Sequence, residues 1–295
     1  LDRSQVLACI DAAAELGLES IEFTGGEIFL FFKDLISFMT HAHDRGLHVF
    51  LNTNAFWATA PGPARQRLAG LKARGLRKII LSADRYHQKF IPLEHVVTAL
   101  DAAAALEIPA AVTICHVGND PSLLDTVAVL RHHTREIKLQ PVAPFGRARG
   151  LAREEMARCS YSTAGLPCEG IFAPTVSPDG RVSLCCAPPM WLPVEDLEGS
   201  PLVLGWLDRE PLTQILTRAE RDPFLALLAA EGLGGIVGRL NALAPDLYRP
   251  RAEGYFGPCD LCVEVLGSRP LAARVGALLP VLVTEARRSH AYTSL

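Results

Sequence analysis

The feature that most constrains this chain is an alternation running through its first half. Between residues 4 and 142, stretches of helical apolar periodicity give way five times to short apolar runs. The spacing predicts helices over Ser4–Leu16, Phe29–Arg45, Ala64–Arg74, Leu93–Leu106 and Pro121–Arg131. Each leads to a strand: Ser20–Glu27, His48–Asn54, Lys78–Ala83, Ala110–Val117 and Glu136–Val142. In the first helix Val6, Leu7, Ile10, Ala13 and Ala14 share a face, Asp2 or Ser4 serves as cap, and Gly17 is the stop. Runs such as Ile79-Ile80-Leu81 suit strands covered on both faces. A helix before every strand makes neighbouring strands parallel. The opening helix has no strand before it, so one lost strand is expected. Counting that strand, the pattern gives six βα units, an open (β/α)6 TIM-like barrel missing its first strand.

Polar residues collect where such a sheet presents its C-terminal edge, the side on which ligands bind. The first strand ends in Gly25-Gly26-Glu27 and the second in Asn52-Thr53-Asn54. The third runs into Ser82-Ala83-Asp84-Arg85-Tyr86-His87-Gln88, the fourth into Cys115-His116-Val117-Gly118-Asn119-Asp120, and the fifth ends at Gln140-Pro141. Any one of these reads equally well as an ordinary polar turn; five on one edge describe a lined cavity.

Beyond the Pro/Gly-rich connector Leu139–Gly150 the alternation stops. Pro174–Cys186 reads as a hairpin turning at Pro178-Asp179-Gly180. Leu212–Ala230 reads as a helix interrupted near Asp222-Pro223, and Leu271–Arg288 as a closing helix. This divides the chain into a barrel core over 1–145, a smaller α+β domain over 146–270 and a C-terminal helix over 271–295. Net charge is -3 over 295 residues, which argues against nucleic-acid or membrane-surface partners recruited by bulk charge. No apolar run reaches the ~20 residues of a membrane span, because Glu231 and Arg239 interrupt Leu225–Leu243. With no secretory signal, a cytoplasmic location is expected.

Eight cysteines stand at 9, 115, 159, 168, 185, 186, 259 and 262. Cys168 is followed by eleven residues, Gly180, four residues and Cys185; Cys259-Asp260-Leu261-Cys262 is a CxxC. A hairpin with one thiolate at each base plus a CxxC can close four soft ligands around iron–sulfur or zinc. Cys185 and Cys186 alternate along their strand, and the glycine spacing selects Cys185. Core packing for Cys168 and a redox pair for Cys259/Cys262 are the ordinary alternatives. Histidines form no H-E-x-x-H pair.

Phe23-Thr24-Gly25-Gly26-Glu27 resembles the Gly-Gly-Glu motif of radical S-adenosylmethionine enzymes. Cys168-x11-Gly180-x4-Cys185 with Cys259-x2-Cys262 is similar to the auxiliary-cluster extension of that superfamily, in its short twitch form rather than the longer SPASM form. Ser82 to Gln88 and Phe145-Gly146-Arg147-Ala148 also resemble stretches of that group. The resemblance implies that Gly25, Gly26 and Glu27 meet the cofactor's methionine amino group, that Asn52 and Asn54 lie near cofactor or substrate, and that Ser82 and Asp84 approach the ribose. It implies that Cys168, Cys185, Cys259 and Cys262 hold an auxiliary 4Fe-4S cluster. An intact member carries a second 4Fe-4S cluster with S-adenosylmethionine, takes electrons from a flavodoxin or ferredoxin, and modifies a peptide or small-molecule substrate by radical chemistry. This sequence has no CxxxCxxC, the motif that holds the radical cluster, and Ile28 replaces the usual proline; the expectation is a fragment inactive as printed. The alternative is a non-catalytic zinc- or iron–sulfur-binding βα-barrel protein.

Overall fold

The computed structural model describes residues 1–118, 120–144, 148, 150–151, 156, 158, 173–186, 200–245, 248–267, 273, 275–278, 280–281 and 284. The chain forms two compact units, Asp2–Val142 and Ala143–Leu295, the latter taking in Leu1.

In the first unit, α1 (Arg3–Glu15) is set by a reciprocal cap. The Asp2 carboxylate accepts the Gln5 amide at 2.9 Å and the Gln5 side chain accepts the Asp2 amide at 2.8 Å. β1 (Ser20–Phe23) follows, then a 3₁₀ turn (Ile28–Phe31) leading into α2 (Phe32–His43). Next come β2 (His48–Thr53), α3 (Pro61–Lys72), β3 (Leu76–Ser82), α4 (Leu93–Ala105), β4 (Ala110–His116), α5 (Ser122–Leu130) and β5 (Glu136–Pro141). The five strands lie in the order β1-β2-β3-β4-β5, all parallel. Each crossover therefore moves one strand sideways in the same sense, and crossovers of one hand place their helices on one face. Among the described residues the sheet is open, with β1 and β5 as its edges.

The two faces differ as that topology requires. Val49 and Leu51, Ile79 and Leu81, Val112 and Ile114 are buried against Leu35, Met39, Leu68, Leu71, Leu100 and Leu130 of the helices. In register, the other face carries Glu22, Asn52, Lys78, Ser82, Thr113, Cys115, Glu136 and Gln140, all half-buried or exposed. Asn52 bonds to Glu22, and Lys78 reaches Glu136 across β4, where Ala111 leaves room. That second face is mixed rather than continuously apolar, with Phe50, Ile80 and Ala111 standing among its polar residues.

The second unit contains the expected hairpin. β6 (Thr175–Val176) and β7 (Arg181–Ser183) pair antiparallel, and the turn is closed by the Gly180 amide on the Ser177 carbonyl at 2.9 Å. A third strand, β8 (Val203–Trp206), pairs with β7 where the sequence predicts none. Four residues containing Gly205 carry too little periodicity to announce a strand. Then come α6 (Leu212–Glu220), α7 (Pro223–Leu243) and α8 (Pro258–Leu266), which share a core of Leu184, Leu202, Phe224, Leu228, Ile236, Leu240, Tyr255, Leu261 and Val265. The break at Asp222-Pro223 is a cap: the Asp222 carboxylate accepts the Phe224 amide at 2.8 Å and Pro223 opens α7. By length and composition α7 suffices to cross a membrane, yet half of its most apolar window is buried in this unit. It also bends at Gly232, φ 65°, and Arg239 clamps Glu231 across the bend with two bonds of 2.7 Å. The expected closing helix lies largely outside the described residues.

Candidate functional site

The C-terminal edge of the parallel sheet is built around two carboxylates. β1 ends at Phe23, earlier than the expected Glu27, because the chain turns at Gly25, φ 128°, a conformation that side chains avoid. Glu27 then caps the 3₁₀ turn. Its Oε1 accepts the Phe29 amide at 3.1 Å and the Thr53 hydroxyl at 2.8 Å, and its Oε2 accepts the Asn54 amide at 2.8 Å. Thr53 accepts in turn from the Trp57 indole at 3.0 Å, and Trp57 stacks on Phe29 with centroids 4.4 Å apart. The carboxylate thereby ties the end of β1 to the end of β2. Three of its roughly four acceptor positions are used, which leaves capacity for one further donor. Nothing stands within 4 Å of the place a Cβ would take on Gly25 or Gly26, so backbone is accessible beside that remaining position.

The second carboxylate is Asp84, just past β3 and 2% exposed. Its Oδ1 accepts the Tyr86 and His87 amides at 3.0 and 3.1 Å, and its Oδ2 meets His87 Nδ1 at 2.9 Å. Burial pushes this carboxyl up, but the His87 ring and the two amides outweigh it and hold the group below its ordinary value. The His87 side chain is 41% exposed. Asp84 therefore presents an imidazole at the strand edge rather than its own oxygens. Behind it, burial first and the Asp84 charge second push the Cys115 thiol up to about 11. Arg85 lies 5.1 Å over the Tyr86 ring and 3.7 Å from the Asp120 carboxylate, so its charge has local company.

Of the residues that the sequence singled out here, Gly25, Gly26, Glu27, Asn54, Ser82 and Asp84 fall at or just beyond the C-terminal ends of adjacent parallel strands, with Asn52 on the polar face below. Asn54 is committed locally, its Oδ1 accepting the Phe56 amide at 3.0 Å. Thr53, the last residue of β2, and Trp57 beyond it organise the Glu27 carboxylate; the sequence marks Thr53 only as part of a polar strand end and Trp57 not at all.

In the second unit, Cys259 and Cys262 sit three apart in the first turns of α8, half-buried and on one side of the helix. Leu261, Val265 and Leu266 turn into the core. The preceding loop is fastened to the same helix: Arg251 donates to Asp260 at 2.9 Å and pairs with Glu264, while the Phe256 amide donates to Asp260 at 3.1 Å. Tyr248 and Tyr255 bond to one another and to Glu264; burial first, then those bonds, push the Tyr248 phenol up. Cys185 is half-buried and Cys186 exposed. Cys168 lies outside the described residues, as do Phe145, Gly146 and Arg147 of the second resembling stretch. Among the described residues, no group of three or more His, Cys, Asp or Glu side chains stands ready to hold a metal ion. Thiol donors suit iron–sulfur and zinc alike. The buried Arg181 Nε and Nη1 and the Ser183 Oγ have no hydrogen-bond partner and stand just before Cys185 in the chain.

No family model matches this sequence, and no curated protein matches it. Solved structures do. Native anSMEcpe with bound AdoMet aligns at a TM-score of 0.49 and 10% identity over 97% of this chain and 90% of that one. The same protein with AdoMet and the Kp18Cys peptide aligns at 0.44 and 10% over the same shares. A dihydrodipicolinate synthase family protein from Coccidioides immitis aligns at 0.32 and 13% over 48% of each chain, so this chain spans about half of that protein's length.

Proposed function

We propose that this chain is the S-adenosylmethionine-binding core of a radical enzyme, joined to a twitch-like domain in which Cys168, Cys185, Cys259 and Cys262 hold a 4Fe-4S cluster. One observation carries the reading. Gly25-Gly26-Glu27 closes the first of five parallel strands running in chain order, with an accessible glycine backbone and one acceptor position left on an already oriented carboxylate. A cofactor that presents an ammonium beside a flat ring system needs such a carboxylate and a wall without side chains. Held there, the cofactor would meet the Glu27 carboxylate at one end, with Ser82 and His87 two strands away at the same edge.

Each residue has a defined task in this reading. Glu27 accepts the cofactor's ammonium, and Thr53 and Trp57 keep its oxygens aimed. Gly25 lets the backbone approach closely. Asp84 fixes which ring nitrogen of His87 carries the proton, because an ionised carboxylate at Nδ1 demands N–H there. The cofactor supplies the radical chemistry when bound with its own cluster, for which this sequence contains no CxxxCxxC. The substrate is a peptide or small molecule, and a flavodoxin or ferredoxin delivers the electrons.

The test follows from that sequence fact and does not need turnover. The chain is reconstituted anaerobically with ferrous iron and sulfide, and iron, sulfide and zinc are measured. About four irons per chain in the parent, falling sharply in Cys259→Ala, is the expected result. Zinc without sulfide would favour the zinc-stapled, non-catalytic alternative. S-adenosylmethionine binding by calorimetry should weaken in Glu27→Gln, and an undiminished affinity would reject the assignment of Glu27.

A further inference from the structure

The second unit contains a cation that its own fold does not satisfy. Arg181 opens β7 and is 4% exposed. Its Nε and Nη1 are sealed from solvent and have no hydrogen-bond partner. Only Nη2 has a carboxylate nearby, Asp179 at 3.6 Å, beyond hydrogen-bond distance. The guanidinium lies 5.9 Å from the centre of the Trp206 ring, which also carries Arg209 at 5.5 Å. A second positive charge on that ring adds no acceptor. Two residues on, Ser183 is fully buried and its hydroxyl has no partner either. Burying a donor without a partner is costly, and more so when it is charged. Two on alternate residues of one strand call for a common acceptor.

Their position says which one. Arg181 and Ser183 lie on the same face of β7, while Val182 and Leu184 point to the other, where Leu184 enters the core. The Leu184 amide still bonds to the Leu202 carbonyl at 3.0 Å, which carries the strand pairing one residue past β7. Cys185 follows directly after that last pairing, two residues beyond Ser183. Resting on the four-cysteine reading above, we propose that Arg181 and Ser183 donate hydrogen bonds to the sulfurs of the cluster held through Cys185. They act as positioning residues that raise its reduction potential. The cluster and its four thiolates form a polyanion that gains a further negative charge on reduction. A fixed cation and a hydroxyl donor stabilise the more negative state.

The experiment uses the whole chain, unloaded and reconstituted with iron and sulfide, as parent, Arg181→Met, Arg181→Lys and Ser183→Ala. In the unloaded protein Arg181→Met should melt at or above the parent temperature, because it removes two buried N–H donors that have no acceptor. A clear fall in melting temperature would show the guanidinium satisfied within the chain and overturn the argument. In the loaded protein a spectroelectrochemical titration should place the midpoint of Arg181→Met below that of the parent at equal iron content. Ser183→Ala should follow by a smaller step and Arg181→Lys should retain part of the parent value. Coincident midpoints in loaded variants overturn this inference and leave the four-cysteine site standing. A parent chain that takes up no iron overturns both. If Arg181→Met alone fails to load, the midpoints of Ser183→Ala and Arg181→Lys decide.

Discussion

Replacing Asp84 separates two roles that a carboxylate at a strand edge can have. If it holds the loop after β3, its loss should be felt at the amides that it accepts. In Asp84→Ala the Tyr86 and His87 amides, at 3.0 and 3.1 Å, lose their acceptor, at about 1 kcal/mol each. The contact to His87, at 2.9 Å to a part-exposed ring, adds about 1 kcal/mol after screening by solvent. The sum, about 3 kcal/mol, corresponds to roughly a hundredfold loss of hydrogen-exchange protection at those two amides. Asp84→Asn keeps an oxygen for both amides and loses only the charged contact, so the loss should be about fivefold, near 1 kcal/mol. Exchange read amide by amide is the suitable assay, because a chain of two units need not unfold in one step. The pH dependence has a definite sign. The folded carboxyl is held below its unfolded value, so its contribution is complete above about 3.8 and is lost as pH falls through the folded value. Asp84→Asn should lack that acid loss. Equal damage from Asn and Ala, or less than threefold loss in Ala, would refute this account of the loop.

Three further outcomes follow from the same geometry. Cys115, with its thiol pushed up to about 11, should react with iodoacetamide at pH 8 roughly a hundredfold more slowly than an ordinary thiol, and faster in Asp84→Asn; a rate matching an exposed thiol would contradict its burial. Gly25→Ala should cost more than about 1 kcal/mol through its backbone angle alone, while Gly26→Ala, with open space and no such angle, should be close to neutral by urea denaturation. Gly205→Ala should cost about 1–3 kcal/mol, because its Cβ would come within 2.9 Å of Ile215 Cγ1 and Glu210 Oε1; a neutral result would mean that α6 shifts freely against β8.

The sequence by itself determined the parallel sheet and the edge on which its polar residues gather. Both are local signals: a helical period before each strand, a glycine after each of the first three helices, and charged or amide residues where each apolar run stops. It also located the hairpin, since Pro178-Asp179-Gly180 needs no distant partner to turn. Tertiary structure decided what those residues do. Glu27 looked like an open carboxylate, but the end of β2 brings Thr53 and the Asn54 amide to it across 26 and 27 residues of chain. Asp84 looked like a ligand, and burial converted it into the holder of His87. Arg181 and Ser183 carried no signal at all, because a donor is unsatisfied only relative to its surroundings. Those surroundings are assembled by strands and helices that periodicity can place singly but cannot bring together.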